Sequence, residues 1–420
     1  MFSNPRGTKD ILPDEIGYWH RIEKVAHQVF SAYNYQELRT PIFESTQLFE
    51  RSIGNQTDIV EKEMYTFLDK GNRSLTLRPE GTAPVVRSYI QNGLHKQQQV
   101  SKLYYCGPMF RYERPQAGRY RQFHQIGVEC LGSALPFADA ETIALGVHLF
   151  DELGLSDLSV NINSVGCSVC RPVIEERLKQ YLSSNLSALC EDCNARFESR
   201  PLRILDCKKP QCQPYFSAIP NIRDSLCQAC NDHFSSLLEY LAELGIEFNI
   251  NPRLVRGLDY YSRTTFEIIS DKLGAQNAIC GGGRYDTLVE KLGGPATPAV
   301  GFAFGVERAV IILRELEDAL QTKAPNLFIA PLGENQRTKS FYILNELRRA
   351  GIQCEMDYTS GSLKAQLKQA NRYRSEYTLI FGEEEAQREV AILKKMINGD
   401  QVEVPLDQLV DYLVKTINQQ

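Results

Sequence analysis

Arginine is the residue type to start from, because its guanidinium stays charged at physiological pH and grips phosphoryl oxygens in pairs. Four arginines and one acid fall within residues 110–123: Arg111, Arg114, Arg119, Arg121 and Glu113. Pro115 and Gly118 mark the middle of this stretch as a turn, which predicts arginines on two adjacent strands and the loop joining them. Phosphate binding fits the pattern, and a solvated charged hairpin has the same composition. A second stretch, Cys280-Gly281-Gly282-Gly283-Arg284-Tyr285-Asp286, follows a strand-like run with three glycines that let a ligand approach the backbone. Its spacing is neither a P-loop nor a dinucleotide fingerprint, and a tight structural turn would use the same residues. A third stretch, 254–261, gathers Arg256, Gly257, Tyr260 and Tyr261. Phenols hydrogen-bond a polar ring while packing against it, although a tyrosine pair suits a core equally well.

These stretches need a scaffold. Ile16, Trp19, Ile22, Val25, Ala26, Val29, Phe30 and Tyr33 recur at steps of three and four, which predicts an amphipathic helix over 16–33. Residues 38–43 read as extended, since Pro41 is incompatible with a helix interior. Strand-like runs follow at 74–77, 103–105, 125–129, 265–269 and 278–280. Turns rather than alternating helices join them, which predicts an antiparallel sheet in an α+β fold. Between 166 and 249 the texture changes to helical stretches, 173–182 and 234–244, punctuated by paired cysteines. A helical run over 306–320 stops before Pro325, after which strands (327–330, 353–356, 377–381) alternate with helices (338–350, 363–371). The chain is therefore expected to divide into a catalytic domain over 1–324, a helical insertion over 166–249 within it, and an α/β domain over 325–420.

With 43% apolar and 24% charged residues, the 420-residue chain is neither disordered nor a coiled coil. No apolar run reaches the ~18 residues that span a bilayer, and the first residues lack the apolar stretch of a signal peptide. A cytoplasmic protein with no membrane partner is the expectation. A net charge of −5 advertises no nucleic-acid partner, so such binding would fall to local patches. Residues 102–128 carry five basic residues and one acid. Lys364, Lys368 and Arg372 fall at i, i+4 and i+8 with no acid from 358 to 375, a pattern that an ordinary solvated helix face shares.

Taken together, over almost the full length, these segments resemble the histidyl-tRNA synthetases, a family of class II aminoacyl-tRNA synthetases. Arg39-Thr40-Pro41-Ile42-Phe43-Glu44 is similar to the first class II motif, a dimer-forming strand. Residues 110–123 are similar to the second and 298–308 to the third. Residues 254–261 and 280–286, with Arg78-Pro79-Glu80-Gly81-Thr82 and Arg121-Gln122-Phe123-His124-Gln125, resemble the histidine-specific signatures. The resemblance implies a class II antiparallel sheet with flanking helices, a mainly helical insertion and a C-terminal anticodon-binding α/β domain. It implies a homodimer that joins histidine to ATP, taken with magnesium, and passes it to the 3′ end of the histidine tRNA. Arg111 is then assigned to the α-phosphate, Arg308 to the outer phosphates, and Arg256 to both reacting groups. Glu80, Gly81, Thr82 and Gln125 would surround the substrate α-amino group, while Glu129, Tyr261 and Tyr260 take the imidazole. Arg114 and Gln116 would read the tRNA acceptor end, and Lys364, Lys368 and Arg372 its anticodon arm. No segment needs to be an editing domain. Two rivals remain: a catalytically inactive regulatory paralogue in histidine biosynthesis, and a class II enzyme for another amino acid. Against the first, Arg256, Tyr260 and Tyr261 are intact and the C-terminal domain is complete.

Eight of the twelve cysteines lie between Cys167 and Cys230, as the pairs Cys167/Cys170, Cys190/Cys193, Cys207/Cys212 and Cys227/Cys230. Three pairs have the spacing with which two thiolates hold one zinc, and four pairs suffice for two tetrahedral sites. Disulfides do not suit a reducing cytosol. Structural zinc, redox-labile thiols and inert packing all remain open, and the metal content is unknown at this stage.

Overall fold

The computed structural model describes residues 2–418, except 55–56, 117, 156, 217–218, 274–276, 317–323 and 360. It divides into two compact units, 1–319 and 320–420.

The first unit begins with α1 (Ile16–Ala32), whose Trp19, Ile22, Ala26, Val29 and Phe30 are buried, as the predicted periodicity requires. Then come β1 (Gln36–Glu37), β2 (Phe43–Ser45), α2 (Thr46–Ile53), β3 (Tyr65–Leu68), β4 (Ser74–Leu77) and α3 (Thr82–Gln91). The two long strands β5 (Ser101–Phe110) and β6 (Gln122–Leu131) lead to α4 (Pro136–Glu152) and β7 (Leu158–Ser164). Helices α5 (Cys170–Ser183), α6 (Glu191–Ser199) and α7 (Gln228–Glu243) precede β8 (Phe248–Ile250). The unit ends with β9 (Ser262–Ser270), β10 (Ala278–Arg284), α8 (Leu288–Lys291), β11 (Ala299–Gly305) and α9 (Val306–Leu316).

Among the described residues the main sheet has the order β1-β5-β6-β11-β10-β9-β7-β8. Its six inner strands pair antiparallel, as expected, while β1 and β8 join the two edges in parallel. Side chains alternate between the faces of a strand, and here the two faces differ sharply in size. Ile126, Val128, Phe266, Ile268, Phe302 and Phe304 are buried on one face, where Phe150 of α4 meets Phe304 edge-on at 5.4 Å. The opposite face carries Gly127, Gly281, Gly301, Ala303 and Gly305, and the side chains of Tyr105, Arg256 and Glu129 take the room above the first three. A smaller antiparallel sheet has the order β2-β4-β3.

Three expectations change. Residues 38–42 form no paired strand; Pro41 has no N–H to donate, and pairing survives only in β1 and β2 on either side. The arginines of 110–123 do not sit on strands, because β5 ends at Phe110 and β6 starts at Gln122, leaving Arg111, Arg114, Arg119 and Arg121 in the connection. The glycine run does not follow a strand but is the body of β10, because neighbouring atoms crowd its faces: a Cβ on Gly282 would come within 2.3 Å of the Gly301 carbonyl. The helical run expected over 306–320 is seen as α9, and its last residues lie outside the described ones.

The segment between β7 and β8 carries its own core, in which Ile174, Leu178, Leu182, Leu202 and Ile204 surround the cysteines. Helix α7 also packs against α4, and a buried cluster joins the two. There the Arg284 guanidinium, fully buried, binds Asp139 of α4 and the Ser133 carbonyl, and His233 of α7 approaches the same carboxylate at 3.4 Å.

The second unit has a five-stranded sheet made from β12 (Leu327–Pro331), β13 (Cys354–Met356), β14 (Tyr377–Phe381), β15 (Val390–Lys395) and β16 (Gln401–Pro405). β13-β12-β14 pair in parallel and β14-β15-β16 antiparallel. Helices α10 (Glu334–Arg349), α11 (Leu363–Arg372), α12 (Glu383–Gln387) and α13 (Leu409–Asn418) accompany it. Among the described residues no helix is long and apolar enough to cross a membrane.

Candidate active site

The small-residue face of the main sheet is the floor of a cavity of about 970 Å³. Gln125, Gly281, Ala303 and Gly305 contribute to that floor, while the β5–β6 connection, the start of α9 and residues 251–258 supply walls. Arg111, Arg119, Arg256 and Arg308 all face this one space. Residues nearly 200 positions apart in sequence thus create a concentrated positive field, suited to a polyphosphate.

Each arginine is held from behind. Arg111 Nε donates to the Pro79 carbonyl at 2.8 Å, and its guanidinium lies over the Phe123 ring, 5.3 Å from the centroid. Glu113 sits between Arg111 and Arg119, at 3.7 and 3.2 Å. Arg256 crosses β10 above Gly281 and pairs with Glu267 on β9, the residue directly opposite Gly281 in register. A Cβ on Gly281 would lie 2.2 Å from the Arg256 Nη2, so glycine alone leaves this path open. Arg308, in the first turn of α9, donates to the Ala278 carbonyl. The helix N-terminus adds its own partial positive charge beside it.

Below the arginines lies a buried polar network. Glu80 accepts the backbone N–H groups of Thr82 and Ala83, at 2.7 and 2.9 Å, and so ties down the first turn of α3. The Thr82 hydroxyl donates to Glu129 Oε1 at 2.6 Å, and the Tyr285 hydroxyl donates to Oε2. Gly301, opposite Glu129 in register, makes room for this carboxylate: a Cβ there would come within 2.0 Å of Oε2. Burial pushes the Glu129 carboxyl up to about 8, against the pull of its two hydrogen bonds. Burial likewise raises the Tyr261 phenol to about 12, so it keeps its proton at neutral pH. The rings of Tyr260 and Tyr261 are 4.8 Å apart, and Tyr260 meets Tyr285 at 5.6 Å. Gln125 Oε1 is buried and has no hydrogen-bond partner among the described residues. A buried acceptor left unpaired costs free energy, which points to a donor brought in by a ligand.

Of the residues singled out in the sequence, Arg111, Gln125, Arg256 and Arg308 therefore meet at the cavity, and Glu80, Gly81, Thr82, Glu129, Tyr260 and Tyr261 cluster about the network. A Cβ on Gly81 would strike the Tyr105 ring at 2.2 Å. Arg114 and Gln116 stand exposed on the connecting turn, where Gln116 and Arg119 exchange backbone hydrogen bonds. Lys364, Lys368 and Arg372 lie exposed along α11 in the second unit, opposite buried Gln366 and Ala370. None of the three makes an ion pair among the described residues. Arg119, Glu267 and Tyr285 escaped assignment. Glu267 had a readable signal, the one charge in the strand-like run 265–269; Tyr285 was inside the glycine stretch but carried no role.

An antiparallel sheet with an arginine-lined cavity on its small-residue face, accompanied by an anticodon-binding type of α/β unit, defines a class II aminoacyl-tRNA synthetase. The family model for histidyl-tRNA synthetase matches residues 7–196 and 213–309, and that for the anticodon binding domain matches 326–416. A histidine–tRNA ligase of Desulforamulus reducens is 51% identical over 414 residues, covering 98% of this chain and 99% of the relative. One from Geobacter sulfurreducens is 50% identical over 406 residues, covering 97% and 98%. The crystal structure of apo Staphylococcus aureus histidyl-tRNA synthetase is 39% identical, with a TM-score of 0.83 over 99% of this chain and all of that one. The chain belongs to the histidyl-tRNA synthetase family.

Proposed function

We propose that this chain activates histidine with ATP and transfers it to the 3′ end of the histidine tRNA. In the first step a histidine carboxylate oxygen attacks the α-phosphorus of ATP, the bond to pyrophosphate breaks, and a mixed anhydride with AMP forms. Arg111 holds the α-phosphate, Arg308 the outer phosphates, and Arg256 spans the carboxylate and the α-phosphate as they meet. Positioning and charge stabilisation do this work, so no protein nucleophile is needed. In the second step a terminal tRNA hydroxyl attacks the activated carbonyl and AMP leaves.

The unpaired Gln125 oxygen accepts the substrate ammonium group, with Glu80 and Thr82 nearby. Glu129 and Tyr261, backed by Tyr260, take the two imidazole nitrogens. Such a site leaves its own polar groups unpaired with any other side chain, which rejects competitors without editing. Magnesium travels with ATP and neutralises phosphate charge. The cavity carboxylates Glu113 and Glu267, which pair with Arg119 and Arg256, are oxygen donors of the kind that would hold it. Arg114 and Gln116 contact the tRNA acceptor end, and Lys364, Lys368 and Arg372 the anticodon arm.

The protein works in the cytoplasm as a homodimer, a reading supported by exposed Ile42, Phe43, Phe67 and Leu68 around the small sheet. The observation that carries the function is the convergence of Arg111, Arg256 and Arg308 on one cavity above buried Glu129. ATP–pyrophosphate exchange with each of the twenty amino acids tests it.

A further inference from the structure

The eight clustered cysteines resolve into two closed quartets: Cys167, Cys170, Cys227 and Cys230, and Cys190, Cys193, Cys207 and Cys212. Within each quartet all four sulfurs lie within 4.8 Å of one another. Closer pairs stand at 3.7 Å (Cys167–Cys170), 4.0 Å (Cys167–Cys227), 3.8 Å (Cys190–Cys207) and 3.9 Å (Cys193–Cys212). A tetrahedral ion with metal–sulfur bonds of ~2.3 Å needs sulfurs about 3.8 Å apart. A disulfide needs them at ~2.0 Å, and all eight thiols are free.

Chance packing of small apolar side chains does not explain the partition. Each quartet joins two pairs that are distant in sequence, and all four sulfurs of a quartet converge on one point. Backbone N–H groups also point at sulfur: that of Cys190 at Cys212 Sγ, 3.2 Å, and that of Cys227 at Cys170 Sγ, 3.1 Å. Such donors accompany thiolates that carry charge.

We propose that each quartet binds one zinc ion, and that the two ions fix the wall of the catalytic cavity. Four thiolates close the coordination sphere, so the ions are structural and hold no water for chemistry. Both quartets are wired to the site. Arg171, next to Cys170, donates to the carbonyls of Tyr261 (2.7 Å) and Asp259 (3.4 Å), bracing the tyrosine segment. Cys207 of the second quartet lines the cavity itself, with Arg203 and Gln213 on either side of it. Gln213 accepts from Arg253 at 3.1 Å, and Arg196 of α6 pairs with Asp58 at 2.8 Å, so this wall is clasped to the segment after β8 and to the connection between α2 and β3. The proposal rests on the thiol geometry and stands whether or not the assigned amino acid is correct.

The test is metal analysis of the full chain purified without chelators, with cobalt exchanged for the native ion in a second sample. Two zinc ions per chain are expected, with X-ray absorption placing four sulfurs at ~2.3 Å. Cobalt should give an intense thiolate-to-metal band with tetrahedral visible transitions. Cys193→Ser and Cys230→Ser should each lower the count from two to one, and if either fails to fold, the wild-type cobalt spectrum still decides. Eight readily alkylated thiols with no metal would overturn the proposal. So would iron with broad visible absorption, or disulfides in mass spectra of unreduced protein.

Discussion

The guanidinium of Arg256 lies directly over the bare Cα of Gly281, 2.2 Å from where a Cβ would stand, and reaches across it to Glu267 on the next strand. The glycine and the arginine are two halves of one device, although 25 positions separate them. Gly281→Ala would push the guanidinium off its line while leaving the strand pairing intact. Histidine-dependent ATP–pyrophosphate exchange should fall by about 10²–10³-fold, the cost of removing one preorganised charge donor. Measured kcat together with an unchanged melting profile checks this; unaltered exchange would show that Arg256 does not need this path.

Glu129 makes stability pH-dependent. Its carboxyl ionises near 4.5 when unfolded and near 8 when folded, because burial outweighs the hydrogen bonds from Thr82 and Tyr285. Between these values the folded state holds a proton that the unfolded state has lost, so this group's stabilisation is full below about 4.5 and declines as pH rises towards 8. Glu129→Gln should therefore flatten the slope of melting temperature against pH in that window, gaining a few degrees on wild type near pH 8. Histidine activation should fall at least ~10-fold in the same variant. Paired thermal melts from pH 5 to 8 provide the check.

The buried Asp139–Arg284 pair is structural, and breaking it by Asp139→Ala leaves the buried guanidinium with only the partly exposed Asp286 as counter-charge. A loss of about 3–5 kcal/mol is expected. Denaturant titration should show the midpoint dropping, with His233 losing the carboxylate beside it.

The role proposed for the α11 cations separates the two steps of the reaction. Replacing Lys364, Lys368 and Arg372 with alanine should leave pyrophosphate exchange unchanged and weaken tRNA binding by roughly tenfold. The slope of log affinity against log salt should fall by about two, given ~0.7 per phosphate contact. Filter binding across a salt series reads this directly.

Phe43→Asp together with Phe67→Asp should split the proposed homodimer, because it places charge on an exposed apolar patch around the small sheet. Light scattering should report one chain mass in place of two.

Local patterns were legible where spacing alone sets structure. The periodicity of Trp19, Ile22, Val29 and Phe30 gives α1, and the run 74–77 is β4 without change. The site residues were legible as a set through the resemblance to the histidyl-tRNA synthetases, since each stretch by itself also suited a charged hairpin, a tight turn or a core. What could not be read was which side chain each glycine accommodates. Gly281 looked like a turn or ligand residue, and Gly301 carried no reading of its own; both are strand residues whose missing Cβ gives space to Arg256 and Glu129. For Gly301 and Glu129 that relation depends on register between strands far apart in sequence, which no local window contains. Arg284 shows the same limit from the other side, since it sits in the glycine-rich stretch singled out for ligand approach and is spent on Asp139, Asp286 and nearby carbonyls. The partition of the cysteines is a third case: four pairs are visible in sequence, but which pairs meet is a property of the fold.

The most direct measurement of the central claim is ATP–pyrophosphate exchange with each of the twenty amino acids, run on wild type and on Arg256→Ala. Exchange with histidine alone, lost in the variant while histidine binding by calorimetry persists, is the predicted result. Exchange with another amino acid, no exchange at all, or near wild-type exchange by the variant would contradict it.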